Sequence, residues 1–124
     1  MEELHCESVY SVDLPFPLGI IDDNRVYLSG RTARDPETGD AIDGIAVETD
    51  QILSDIELML ESAGTSIENV IQATVYLEEM SDIGTFNEIY ESYMTEPYPA
   101  RSAVEVSDLA VEFSVEVEMV ARRD

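Results

Sequence analysis

The sequence predicts a single α+β domain in which two helices pack on one face of a β-sheet. Three observations support this fold class. The 124 residues suffice for one domain with a hydrophobic core but are too few for two. Two segments carry the apolar spacing of amphipathic helices, and short β-prone runs precede, separate and follow them. The hydrophobic fraction of 44% is ordinary for a folded protein, so the abundant acidic residues do not indicate disorder.

The first half of the chain reads as a strand, a turn and a helix. The β-prone run RVYLSG, Arg25 to Gly30, predicts a strand. The segment RDPETGD, residues 34–40, predicts a turn, because Pro36 fixes its own φ and Gly39 can adopt a positive φ. A helix is expected from Ile45 to Ala63, where apolar residues recur at helical spacing: Ile52, Ile56, Met59, Leu60 and Ala63.

The second half begins with a strand and a second helix. Gly64 is a typical C-terminal cap for the first helix. The β-branched run NVIQATVYL, Asn69 to Leu77, predicts a central strand with one apolar face, formed by Ile71, Ala73, Val75 and Leu77. Ser81 or Asp82 is expected to cap the second helix. Its apolar stripe comprises Phe86, Ile89, Tyr90, Tyr93 and Met94.

The chain closes with two further β-prone runs. Pro97 and Pro99 end the second helix and favour an extended backbone after it. The runs ARSAVEV, residues 100–106, and EFSVEVEMVA, residues 112–121, are separated by SDLAV. We expect them to be neighbouring strands of one hairpin.

The alternation of side chains along these two runs singles out Arg101 and Glu116. The second run has an unbroken apolar set that should meet the helices, which leaves Glu116 on the opposite face. In the first run Arg101 alternates with Ser102 and Val104, and we expect the apolar side of that run to meet the helices too. Arg101 and Glu116 should therefore lie close together on the helix-free face.

Two interpretations of this pair stay open on pattern alone. The first is a surface ion pair between strands, worth less than about 1 kcal/mol. The second is a binding site on a face that another subunit covers. Arg101 would then present its planar fork to a small carboxylate, and Glu116 would orient a water molecule or move a proton.

The charge of the chain is strongly negative. It carries 28 Asp and Glu against 6 Lys and Arg, with no lysine, for a formal net charge of −22. Such like charge repels itself at low ionic strength, whereas at 1 M salt the Debye length falls to about 3 Å and screens most of the repulsion. The composition therefore predicts a halophilic source. It also argues against nucleic acid as a partner, because phosphate binding requires a basic face.

Other features of the sequence exclude several classes of protein. No apolar run is long enough to span a membrane, and the acidic N-terminus does not resemble a signal peptide. A single cysteine, Cys6, allows no internal disulfide, so we expect a cytoplasmic protein. His5 and Cys6, at a terminus expected to be mobile, are too few ligands for a metal site, and none is predicted.

The residues around Arg101 resemble a known family. The segment YPARSAVEVSDLAVEFSVEVEMVA resembles the C-terminal signature of the Rid (RidA/YjgF) family of imine and enamine deaminases. The resemblance continues through YLSGR, DPETGD, LESAGTSIENVIQATVYLEEMSD and FNEIYESYM. It implies a chorismate-mutase-like α+β fold and a homotrimer with its sites between subunits. It also implies cofactor-free hydrolysis of 2-imino and enamine acids, such as 2-aminoacrylate, to 2-oxo acids and ammonia.

The resemblance also implies roles for individual residues. Arg101 matches the arginine that binds the substrate carboxylate, and Glu116 matches the glutamate associated with the attacking water. Ser29 and Gly30 match the strand end that lines the pocket, and Asn87 matches an asparagine of the second helix. These assignments make Arg101 and Glu116 the candidate catalytic residues.

Three positions depart from the pattern of the active deaminases. Phe16 stands where a tyrosine is typical, Ala103 where a cysteine is common, and Arg31 where glutamine is usual. Phe16 and Ala103 are therefore included among the candidate substrate-binding residues. A second function class stays open: a non-catalytic trimer of the same fold that binds a small carboxylate metabolite in regulation or stress protection. A purely structural oligomer is a third.

Overall fold

Two helices pack on one face of a six-stranded mixed sheet in a computed structural model that describes all 124 residues. The elements are β1 (Glu2–Glu3), β2 (Gly19–Asp22), β3 (Arg25–Leu28), α1 (Ile45–Ser62), β4 (Val70–Leu77), α2 (Ile83–Tyr93), β5 (Ala100–Glu105) and β6 (Val115–Arg122). Across the sheet the order is β1-β2-β3-β6-β4-β5, and β4 and β5 are the one parallel pair. The predicted α+β fold class is confirmed. Neither helix has the length and apolarity that a bilayer span requires.

Both predicted helices are present. The buried residues of α1 include most of the predicted stripe, and the helix ends one residue before Ala63. Gly64 adopts a φ of 83° and donates to the carbonyl of Glu61, while Thr65 donates to that of Leu60. The bond from Gly64 satisfies a carbonyl that the end of the helix would otherwise leave unpaired, while the carbonyl of Leu60 accepts from Ala63 as well. In α2, Asp82 occupies the predicted cap position, although its side chain makes no capping hydrogen bond.

The core lies between the helices and one face of the sheet. It contains every second residue of β6, namely Val115, Val117, Met119 and Ala121. In β4, Ala73, Val75 and Leu77 are buried as predicted, but Ile71 is 40% exposed. A bulge between Val70 and Gln72 shifts the register at Ile71, which breaks the alternation on which that prediction depended.

The predicted hairpin of the last two strands is wrong. β5 pairs in parallel with β4, and β4 separates it from β6. The connection between β5 and β6 instead passes the end of β4. There Val106 donates to the carbonyl of Leu77, and Glu78 donates to that of Ser114. A crossover through α2 joins β4 to β5, and such a crossover gives a parallel pair.

The N-terminal residues are ordered into the sheet, contrary to the expectation of a mobile terminus. Glu2 and Glu3 pair with Ile21 and Ile20 of β2, and Leu4 is only 1% exposed. Neither β1 nor β2 was predicted, because two-residue and four-residue strands are too short to show a period.

Candidate functional site

The candidate site residues fall into two groups, each beside its own opening in the surface. Phe16, Ser29, Gly30 and Glu116 line an open cavity of about 1330 Å³, which we call the Glu116 cavity. Asn87 and Arg101 line a cleft of about 380 Å³, which we call the Arg101 cleft. Ala103 lies two residues from Arg101 on the same face of β5 and packs half-buried against the core.

Gly30 leaves room at the Glu116 cavity for the carboxylate of Glu116, which a side chain at this position would have to displace. A Cβ added to Gly30 would collide with Oε2 of Glu116 and lie 2.9 Å from its Cδ. Two backbone hydrogen bonds between the residues that follow them, Arg31 and Val117, keep Gly30 and Glu116 adjacent. Arg31 donates to the carbonyl of Val117 over 2.8 Å, and Val117 donates back to that of Arg31 over 3.0 Å.

Glu116 is half-buried, and its neighbours disfavour its charge. It lies between the buried Val115 and Val117 and points away from the helices, as predicted. Burial, and then the negative charge of Glu118, raise the pKa of Glu116 above its ordinary value. Glu118 in turn accepts a hydrogen bond of 2.9 Å from the hydroxyl of Tyr76, which raises the pKa of that tyrosine. Glu116 is therefore a better proton acceptor than an ordinary surface carboxylate.

Arg31 is a structural residue whose guanidinium is bound inside the fold. Its Nη2 and Nε lie 2.9 and 3.2 Å from Oδ2 of Asp55 in α1. Gln51 donates to the other oxygen of Asp55 over 2.8 Å. The side chains of Arg31 and Asp55 are 10% and 3% exposed. Where the deaminases that the sequence resembles usually have glutamine, this chain therefore has an arginine that forms a buried ion pair. The pair links the Gly30 segment to α1.

Arg101 lies on the helix side of the sheet, which corrects the predicted face. Its register partner in β4 is the buried Ala73, and residues paired across two strands share a face. The guanidinium carbon lies 4.9 Å from the centre of the Tyr90 ring and 5.8 Å from that of Phe86, both in α2. Arg101 is exposed and forms no ion pair or side-chain hydrogen bond, so the interpretation as a surface ion pair is also wrong.

Arg101 and Glu116 are therefore not close together within one chain. They lie on opposite faces of the sheet, and β4 separates their strands. A small ligand bound in one opening cannot reach the residues of the other.

Sequence reasoning also missed Phe86 and Tyr90, which read only as members of the apolar stripe of α2. Their spacing of four residues places both rings on one helix face and was the available signal.

The family model described as endoribonuclease L-PSP matches residues 11–123. A RutC family protein of Pyrococcus horikoshii is 38% identical over 95% of this chain and 98% of its own. The human 2-iminobutanoate/2-iminopropanoate deaminase is 35% identical over 86% of this chain and 79% of its own. Among solved structures, RidA from an Antarctic Psychrobacter has a TM-score of 0.95 at 30% identity and covers 98% of this chain and 99% of its own. TdcF of E. coli with bound serine has a TM-score of 0.93 at 25% identity over the whole of both chains.

Proposed function

This chain belongs to the endoribonuclease L-PSP (Rid) family, and on that premise we propose that it hydrolyses reactive 2-imino and enamine acids, such as 2-aminoacrylate, to 2-oxo acids and ammonia. The unpaired guanidinium of Arg101 carries the proposal. In a chain with 28 Asp and Glu residues, this exposed arginine has no carboxylate partner. Its N–H groups are free to bind the carboxylate of a ligand. Relatives that are named imine deaminases at about 35% identity support the choice of chemistry.

The proposed reaction requires only positioning and proton transfer. An enamine acid first tautomerises to the imine, whose carboxylate binds Arg101. Glu116 holds a water molecule and accepts a proton as the water oxygen bonds to the C=N carbon. The electron pair of the C=N π bond passes to the nitrogen, which takes up a proton, so that a carbinolamine forms. Glu116 then returns its proton to the amine, the C–N bond breaks and ammonia leaves, and the hydroxyl gives its proton to water as the C=O bond of the 2-oxo acid forms. The imine is intrinsically reactive, so correct placement of the water supplies much of the rate enhancement.

We further propose that the site forms between copies of the chain in a homotrimer. Because Arg101 and Glu116 lie on opposite faces of the sheet, a ligand that uses both needs them from different protomers. Two apolar side chains are exposed on the helix-free face, Tyr27 at 47% and Val104 at 42%. A second protomer on that face would cover them and would complete the Glu116 cavity.

RNA cleavage is not proposed, although the family description includes an endoribonuclease. A net charge of −22 gives a phosphate backbone no basic face to bind. The six arginines do not form such a face either, since Arg31 is buried against Asp55.

The test is hydrolysis of 2-aminoacrylate generated from serine by a dehydratase in molar KCl. We expect the wild type to accelerate pyruvate and ammonia release, and Arg101→Ala and Glu116→Gln each to lose most of the acceleration. Arg122→Ala and Glu61→Gln are matched controls at exposed positions and should behave as wild type. No acceleration by the wild type over buffer would refute the enzyme proposal, and full activity in Arg101→Ala would refute the role of that residue.

One observation favours the alternative, a non-catalytic trimer that binds a small carboxylate metabolite. Phe16 places a ring without a hydroxyl at the Glu116 cavity, where the active deaminases that the sequence resembles typically have a tyrosine. If pyruvate bound in an Arg101-dependent manner while 2-aminoacrylate decayed at the buffer rate, this alternative would replace the first.

A further inference from the structure

Two aromatic rings of α2 lie against the guanidinium of Arg101. Phe86 and Tyr90 are one helical turn apart, and their ring centres lie 5.5 Å from each other with a tilt of 30°. Phe86 is fully buried and Tyr90 is 6% exposed, so the core fixes both rings. The Arg101 guanidinium carbon lies within cation–π distance of both, and the closer ring is that of Tyr90.

This contact restrains the guanidinium without using its hydrogen-bond donors. An arginine on an edge strand normally samples many rotamers, and a ligand must immobilise it before forming a bidentate contact. A ring against the guanidinium restricts those rotamers, while a carboxylate partner would also occupy the N–H groups. The N–H groups of Arg101 have no partner in the protein and remain available on the side of the Arg101 cleft.

We propose that Tyr90 is the positioning residue for Arg101. Its ring holds the guanidinium in a binding orientation before a ligand carboxylate arrives. This inference rests on the proposed carboxylate-binding role of Arg101. It adds that Tyr90, which also lines the Arg101 cleft, sets part of the affinity through Arg101.

The contribution comes from the ring and not from the hydroxyl. The Tyr90 hydroxyl is buried and has no hydrogen-bond partner. Burial raises the pKa of Tyr90, an effect that the nearby Arg101 charge only partly opposes, so the hydroxyl stays neutral and offers Arg101 no negative oxygen. Removing this hydroxyl should therefore leave both the cation–π contact and the binding intact.

The experiment is a titration with pyruvate, followed by NMR chemical shifts, of the wild type and of Tyr90→Phe, Tyr90→Leu and Arg101→Ala. We expect Tyr90→Phe to bind within about twofold of wild type. Tyr90→Leu should bind about fivefold more weakly, the upper end for loss of a cation–π contact with an exposed cation. In turnover of 2-aminoacrylate, the same variant should raise KM by that factor and leave kcat nearly unchanged. Tyr93→Leu is the matched control, because Tyr93 is another tyrosine of α2 and bonds Asp50 instead.

A double variant separates positioning from other roles. If Tyr90 acts through Arg101, adding Tyr90→Leu to Arg101→Ala should cause no further loss of pyruvate affinity. A further loss would overturn the proposal, as would equal losses in Tyr90→Phe and Tyr90→Leu. If Arg101→Ala abolished binding while Tyr90→Leu bound normally, only the positioning role would be wrong. If Arg101→Ala bound pyruvate normally, the proposed function would fail first. Should Tyr90→Leu not fold, Tyr90→Met provides the same test with a flexible apolar side chain.

Discussion

The buried pair of Arg31 and Asp55 provides a stability prediction that can be worked out from its geometry. Both contacting nitrogens of Arg31 lie within 3.2 Å of a single oxygen of Asp55, and Gln51 satisfies the other oxygen. The two side chains are 10% and 3% exposed, so water replaces almost none of these bonds if one partner is removed. Breaking a buried pair in this way costs about 3 to 5 kcal/mol, because the remaining charge stays buried without compensation.

We therefore expect Arg31→Met to lower the free energy of unfolding by about 3 to 5 kcal/mol. For a chain of this length, about 4 °C of melting temperature is lost per kcal/mol, so the midpoint should fall by about 12 to 20 °C. The double variant Arg31→Gln/Asp55→Asn replaces both charges with amides that can still bond each other. It should recover most of the loss, since no charge is left unpaired.

The assay is thermal unfolding followed by circular dichroism, at one protein concentration and one KCl concentration for all variants. Asp43→Asn is the matched control at an exposed position and should stay within about 0.5 kcal/mol of wild type. If Arg31→Met melted within a few degrees of wild type, the pair would not stabilise the fold as argued. If the double variant were as unstable as Arg31→Met, the loss would come from packing and not from an uncompensated charge.

Three further predictions follow from the Glu116 cavity and from the charge. Gly30→Ala should abolish imine hydrolysis while leaving pyruvate binding at Arg101 measurable, because a Cβ there displaces the Glu116 carboxylate; activity within twofold of wild type would contradict this. Glu118→Gln should lower the pKa of Glu116 in a carboxyl NMR titration, so that Glu116 ionises at lower pH, although burial will keep that pKa above the ordinary value. An unchanged titration midpoint of Glu116 would mean that burial alone raises its pKa. The midpoint of thermal unfolding should rise between about 0.1 and 3 M KCl, and a flat or falling midpoint would refute the halophilic source, which stays a prediction.

The folded-state pKa of Glu116 also fixes the sign of its effect on stability. A carboxyl whose pKa is raised on folding favours the folded state while it is protonated and loses that contribution as pH rises through the folded pKa. Glu116 therefore costs some stability at neutral pH. Glu116→Gln should stabilise the protein there while it removes the proposed activity, an opposition that is typical of functional residues.

The helices and the Gly39 turn could be predicted from sequence because each depends on local signals. The stripe of α1 and its Gly64 cap lie within one continuous segment, and the structure reproduces both. At residues 34–40, the Asp35 side chain accepts from the amides of Glu37 and Thr38, and Gly39 has a φ of 80°. No comparable local signal specifies which strands pair, so β6 between β3 and β4 could not be predicted.

The face of Arg101 could not be predicted for a different reason. Alternation divides a strand into two sets but does not say which set faces the core. Because Val104 is apolar, the sequence predicts that the side chains on its side of the strand face the core, yet Val104 is 42% exposed on the edge strand β5. Only the register of Arg101 with the buried Ala73 assigns the face. Phe86 and Tyr90 could be predicted as core residues, but their contact with Arg101 depends on the parallel pairing of β4 and β5.

The net charge of −22 makes an unpaired arginine important for an anionic ligand. A carboxylate that approaches this chain is repelled at low salt, and the repulsion is weak only where a cation is exposed without a partner. Arg101 meets that condition even though Glu91 lines the same cleft, because the two form no ion pair. If the rings of Phe86 and Tyr90 keep the guanidinium away from neighbouring carboxylates, removing the rings would do more than give the guanidinium additional rotamers. It would let an acidic side chain compete with the ligand, most strongly at low salt. The affinity lost in Tyr90→Leu should therefore be larger at about 0.1 M KCl than at about 3 M, whereas a purely steric effect of the ring would not change with salt.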